Sequence, residues 1–256
     1  MELVASEVNR TFRGNQAMTQ MLASVASSNE ALVALELGAD IIDLKNPHSG
    51  ALGALPLATL EEIVMTVGGR RTLSATIGDT PKDVSNLREN ILVTAATGVD
   101  IVKIGIATSR STLAAWRDMP WEPISTRLVA VLFADEPLEL DWINLSADNG
   151  FYGVMLDTAD KRAGGLRSHC SDRLLREFVK RARENNLVCG LAGSLRIDDV
   201  SPLLGMAPDY LGFRGALCCG NSRVAQLDPD AFRAVRERIP RIAGNTVLNQ
   251  EAVSAA

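Results

Sequence analysis

The chain has 256 residues, 46% of them apolar, and a formal net charge of −5. It is long enough to bury a sizeable core but has no excess of basic residues for a nucleic-acid partner. No apolar run reaches the ~18 residues that span a bilayer, and the four cysteines show no CxxC spacing, so a disulfide framework is not expected; the composition suggests a reduced, cytoplasmic protein with a small-molecule partner and leaves a homo-oligomer open.

In chain order, residues 1–20 (MELVASEVNRTFRGNQAMTQ) are polar and mixed, unlike a signal peptide. They are expected to form an extension, and 245–256 a flexible tail. Residues 21–244 contain no Pro/Gly/Ser linker or composition shift and read as one domain. Eight short apolar runs follow one another: Met21–Ser24, Ile41–Lys45, Thr72–Thr76, Ile101–Ile104, Leu128–Phe133, Gly153–Leu156, Val188–Ala192 and Tyr210–Phe213. Amphipathic stretches lie between them, among them Asn29–Leu37, Thr59–Val67, Val84–Thr97, Ser171–Asn185 and Pro229–Arg238. Strands alternating with helices at this spacing imply a parallel α/β sheet. Gly38 and Gly98 stand where a helical stretch gives way to an apolar run, the position at which glycine ends a helix. Eight units favour a single closed (β/α)8 TIM barrel. The open nucleotide-binding sheet is the rival, but Val25-Ala-Ser-Ser-Asn-Glu30 after the first run holds no glycine for a phosphate turn.

The basic residues carry a second signal. There are 21 arginines and only five lysines, yet Lys45 and Lys103 fall at the end of or within apolar strands, IIDLK and IVKIG. Burying an ammonium is costly unless it is paired or deprotonated, and lysine can lose its proton where arginine in practice cannot. Side chains alternate faces along a strand, so Asp43 and Lys45 share one face, opposite Ile42 and Leu44. Lys103 opposes Val102 and Ile104, and Asp157 opposes Val154 and Leu156. Lys45, Lys103 and Asp157, on strands two, four and six, are therefore expected to point inward and converge at the C-terminal mouth, where barrel active sites lie. Ser74 and Thr76 share a face and could line that mouth. Lys161, four residues past Asp157, is either a solvated loop lysine or a further site residue.

Glycine turns follow the last two strands: Leu191-Ala-Gly-Ser194 and Arg214-Gly-Ala216. Barrels often bind phosphate with backbone N–H groups at these places, which makes Gly193, Ser194, Arg214 and Gly215 phosphate candidates. The two histidines, His48 and His169, have no metal-ligand spacing, and no metal site is expected.

The blocks Asp40-Ile-Ile-Asp-Leu-Lys-Asn-Pro47, Gly50-Ala-Leu-Gly-Ala54, Ser74-Ala-Thr-Ile-Gly-Asp79, Val99-Asp-Ile-Val-Lys-Ile-Gly105, Met155-Leu-Asp-Thr-Ala159, Leu191-Ala-Gly-Ser194 and Arg214-Gly-Ala216 resemble, in order, those of the (5-formylfuran-3-yl)methyl phosphate synthase family. The resemblance spans about Met21 to Arg238 and implies a (β/α)8 lyase. Such an enzyme condenses two glyceraldehyde 3-phosphate molecules into a furan aldehyde phosphate, with loss of phosphate and water, for methanofuran-type coenzymes. It implies that Lys45 forms the Schiff base, that Lys103 accepts a proton, and that Asp43, Asp157 and Lys161 are further polar site residues; no cofactor is implied. The residues alone do not choose between Lys45 and Lys103 as nucleophile. A class I aldolase on triose phosphates would use the same lysines, and a non-catalytic phosphosugar-binding barrel would use the same turns.

Overall fold

A computed structural model describes residues 18–78, 86–106 and 126–240. The expected C-terminal tail, most of the expected N-terminal extension, Asp79 and nearly all of the segment between Ile106 and Arg127 lie outside the described residues. The strands are β1 (Gln20–Val25), β2 (Ile41–Leu44), β3 (Thr72–Thr76), β4 (Ile101–Gly105), β5 (Arg127–Phe133), β6 (Gly153–Asp157), β7 (Val188–Leu191) and β8 (Tyr210–Phe213). Each pairs in parallel with its neighbours in sequence, and β8 pairs with β1, so the sheet closes into a barrel. The described helices are α1 (Ser28–Glu36), α2 (Leu57–Val67), α3 (Leu87–Ala96), α4 (Asp141–Asp148), α5 (Leu166–His169), α6 (Asp172–Glu184), α7 (Ile197–Leu204) and α8 (Pro229–Arg238). None of these is long and apolar enough to cross a membrane.

Strand phase sorts the apolar residues into two cores. Ile42, Leu44, Val102, Ile104, Val154 and Leu156 join the buried layer between sheet and helices. Ile41, Ile101, Val129, Met155, Val188 and Tyr210 fill the barrel interior. Gly190 shows how tight that interior is: a Cβ there would stand 2.2 Å from ring carbons of Tyr210, so only glycine lets the ring lie across β7. The helices end as the glycines suggest, since Gly38 (φ 84°) and Gly98 (φ 93°) take the left-handed conformation just beyond α1 and α3.

Two contacts tie the two ends of the barrel together, and a third extends one of them to β1. Thr19 donates its hydroxyl to the Pro208 carbonyl at 2.7 Å. From α8, the buried Arg236 reaches the Asp40 carboxylate at 2.6 Å, and the same carboxylate oxygen accepts the Met21 N–H at 2.8 Å.

Candidate active site

Local structure positions each group at the C-terminal end of the strands. Lys45 is the first residue beyond β2, and its N–H is held by the Val25 carbonyl at 3.0 Å. Asp157 closes β6, its carboxylate accepting the Thr158 N–H at 2.8 Å. The following loop is pinned by Asp135, whose carboxylate accepts the N–H groups of Ala159 and Asp160, each at 2.7 Å. That anchoring turns Lys161 back over the barrel, where its amine meets Asp157 Oδ1 at 2.5 Å and the Thr158 carbonyl at 2.5 Å. Of the two readings left open for Lys161, the solvated one is wrong.

Lys45, Asp157 and Lys161 line one cavity of about 170 Å³ together with Ser24, Gly193, Ser194, Arg214 and Gly215. Lys45 is 8% exposed, and its amine has no hydrogen-bond or ion-pair partner among the described residues. Burial lowers its pKa to about 8; Asp157 and Asp43 pull it back up, while Lys161 and Lys103 push it further down. Asp157 has the opposite balance. Burial raises its pKa, but the charges of Lys161 and Lys45 and the hydrogen bonds from Lys161 and Thr158 win, holding it at about 2.

Lys103 is placed differently from the expectation. It faces inward, but its amine lies beneath the cavity, paired with Asp43 at 2.6 Å, and both groups are fully buried. Strand phase fixes the face a side chain takes, not its height; the strands of a barrel tilt, and Lys103 falls level with Asp43 rather than with Lys45. Asp43 also accepts hydrogen bonds from Ser24 at 3.0 Å and Ser74 at 2.7 Å. Burial pushes its carboxyl up, but the Lys103 and Lys45 charges and the hydrogen bonds from Lys103 and Ser74 hold it below the usual range. Ser74 is thus spent on Asp43 instead of lining the mouth. Thr76 likewise donates to the Gly53 carbonyl at 3.0 Å, pinning the loop after β2. Below the pair, Lys103, Ser74 and Tyr210 border a void of about 20 Å³, the size of one water.

The glycine turns face the same cavity. Gly193 has φ 106°, and a Cβ there would press on Thr158 at 2.9 Å, so both conformation and space require glycine. Ser194 follows with φ 48°. The N–H groups of Gly193, Ser194 and Gly215 have no acceptor among the described residues. Arg214 is the exception among the phosphate candidates. Its guanidinium holds Glu30 at 2.5 and 3.0 Å and the carbonyls of Ser24, Arg223 and Ala225, so only its backbone is left for a ligand. Two lining cations went unnoticed in the sequence: Arg196, two residues past Ser194, and Arg223. The tripeptide Ser194-Leu-Arg196 was a readable signal; Arg223, in an irregular segment, gave none. His48 is exposed and His169 half-buried in α5, and among the described residues no cluster of His, Cys, Asp or Glu could hold a metal. The four cysteines are free thiols.

Fold and cavity together define a (β/α)8 barrel built around a lysine at its C-terminal mouth that is buried and, among the described residues, unpaired. The chain belongs to the 4-HFC-P synthase family, whose model matches residues 21–236, and it is an enzyme of that family. It is 34% identical over 216 residues to the (5-formylfuran-3-yl)methyl phosphate synthase of Methanopyrus kandleri, covering 78% of this chain and 89% of that one. A Methylorubrum extorquens protein, given the same name provisionally, is 41% identical over 217 residues, or 84% and 89% of the two chains. Among solved structures, 3-hexulose-6-phosphate synthase from Salmonella typhimurium aligns with TM-score 0.59 at 13% identity, over 85% of this chain and 98% of that one. Phosphoribosyl anthranilate isomerase from Thermus thermophilus gives 0.58 at 13%, over 86% and 98%. At such identities the likeness concerns the fold.

Proposed function

We propose that this enzyme condenses two glyceraldehyde 3-phosphate molecules into (5-formylfuran-3-yl)methyl phosphate, releasing inorganic phosphate and water, through a Schiff base on Lys45. The product serves the assembly of a methanofuran-type carrier. The observation that carries the reading is the Lys45 amine: buried, without a partner among the described residues, and facing a cavity lined by backbone N–H groups that likewise have no acceptor among them. A pKa of about 8 leaves about a tenth of the amine neutral at pH 7, against about one part in three thousand for an ordinary lysine.

Neutral Lys45 adds to the aldehyde carbon of the first triose. The ammonium of Lys161, held beside it by Asp157, supplies a proton to the oxygen that leaves as water. The resulting iminium withdraws electrons and acidifies the neighbouring C–H. Lys103, which lies below against Asp43 at 2.6 Å, is the acceptor of that proton in this reading. Loss of the first triose's phosphate then leaves an enol conjugated to the iminium, nucleophilic at the terminal carbon. That carbon attacks C2 of the second triose, taken as its ketone isomer, since only a bond at C2 places the phosphomethyl group at ring position 3; cyclisation through the terminal hydroxyl and loss of two waters give the furan. Free N–H groups at Gly193, Ser194 and Gly215 suit a phosphate.

Incubation with glyceraldehyde 3-phosphate is expected to produce a furan chromophore and inorganic phosphate together; a simple aldolase would release no phosphate. Borohydride is expected to trap the triose on the peptide that holds Lys45. Lys45→Arg should abolish both, since a guanidinium keeps its charge. An adduct on Lys103 or Lys161 that persists in Lys45→Arg would overturn the assignment of the nucleophile.

A further inference from the structure

The charge around the cavity is unbalanced. Among the described residues, five cations line it, Lys45, Lys161, Arg196, Arg214 and Arg223, against one lining carboxylate, Asp157. Asp157 neutralises Lys161 at 2.5 Å, and Glu30, outside the lining, neutralises Arg214 at 2.5 Å. Arg223 is engaged, with one guanidinium nitrogen on the Gly50 carbonyl at 2.8 Å. The charges of Lys45 and Arg196 are left over in a protein whose net charge is −5. Arg196 is different: its side chain is exposed at the rim and has no hydrogen-bond or ion-pair partner among the described residues. Of the two carboxylates that follow it, Asp198 makes no hydrogen bond or ion pair with it among the described residues, and Asp199 accepts the Arg196 backbone N–H at 2.9 Å and faces Arg167 at 3.6 Å.

A phosphate monoester brings nearly two negative charges near neutral pH, and two triose phosphates bring about four. The free N–H groups of Gly193, Ser194 and Gly215 suit one such group. Depth decides which triose uses them. Lys45 and Gly193 are buried, so the triose bonded to Lys45 fills the bottom of the cavity. A second triose must lie above it, against the rim.

We propose that Arg196 is the phosphate anchor for the second triose, the one that keeps its phosphate in the product. This rests on the reaction proposed above. The guanidinium fork suits a phosphate bidentately, and its freedom from protein partners leaves both prongs available. Arg196 thereby selects a phosphorylated acceptor over a neutral carbonyl compound.

The test uses the full-length enzyme with glyceraldehyde 3-phosphate and two variants, Arg196→Gln and Arg196→Lys, at an exposed position where folding is not at stake. Two readouts are taken: borohydride trapping on Lys45, which needs only the first triose, and furan formation, which needs both. Arg196→Gln is expected to trap as the wild type does while kcat/KM for furan falls about 10- to 100-fold, as loss of a charge-assisted contact implies, with partial recovery in Arg196→Lys. Unchanged furan formation in Arg196→Gln would overturn the proposal, and so would a parallel loss of trapping, which would move Arg196 to the first triose. If the wild type itself traps nothing, the Schiff-base reading fails instead.

Discussion

At the residue scale, Lys45 sets both the pH behaviour and part of the stability. A lysine whose folded pKa lies near 8 rather than 10.5 must shed a proton before it can attack. The kcat/KM profile is expected to rise through about pH 8 and level off above it. The same shift acts on folding with a definite sign. Below pH 8 both states carry the proton, and the folded state bears the full cost of the buried charge, about 3 kcal/mol. Between pH 8 and 10.5 the unfolded chain binds more protons, so stability rises with pH across that window. Lys45→Met is therefore expected to be inactive, more stable than the wild type at pH 7, and flatter in stability from pH 8 to 10.5. Denaturant midpoints at pH 7 and 9.5 check this, and equal midpoints for the two proteins at pH 7 would count against it. Lys45 was legible in the sequence because lysine is scarce here and sits at the end of an apolar strand. The occupation of Arg214 was not legible, since its partner Glu30 lies 184 residues away. Nor did four-residue spacing reveal whether Lys161 turns back or out; Asp135, on another loop, decides that.

At the element scale, the β-branched runs gave the strand positions to within a residue or two, because both faces of a barrel strand are buried and the apolar run ends where the strand does. The height of a side chain inside the barrel was not legible, which is why Lys103 was expected beside Lys45 and is found beside Asp43. Three helices lie outside the amphipathic stretches named from the sequence. α4 (Asp141–Asp148) has only eight residues and α5 (Leu166–His169) only four, too few for a clear period, and α7 (Ile197–Leu204) contains Pro202, which ordinarily reads as a helix breaker. The packing of β7 against β8 offers a direct test. Gly190→Ala drives a methyl group into the Tyr210 ring and is expected to cost about 1–3 kcal/mol, as overpacking of a core does. A second change, Tyr210→Leu, removes the ring and should make Gly190→Ala far less costly in that background. A double-mutant cycle by urea denaturation measures this coupling; simple additivity would show that the ring yields without strain.

At the scale of the whole molecule, the barrel is held shut by contacts between its two ends. Arg236 on α8 is 2% exposed and clamps Asp40, which in turn holds the Met21 N–H. Arg236→Met removes one half of a largely buried ion pair and leaves the carboxylate behind, at an expected cost of about 3 kcal/mol, read as a lower midpoint in thermal or urea denaturation. A midpoint within experimental error of the wild type would show that the clamp is solvated. The same closure imposes an order in time. β1 finds its second neighbour only when β8 pairs with it, and the clamps span 189 to 196 residues. During synthesis at about 5–20 residues per second, the free edge of β1 waits roughly 10–40 s for its partner to be made. Ring closure is thus among the last events in the birth of the protein, and an unpaired strand edge exposed for that long is the point at which the nascent chain is most open to pairing with the wrong neighbour.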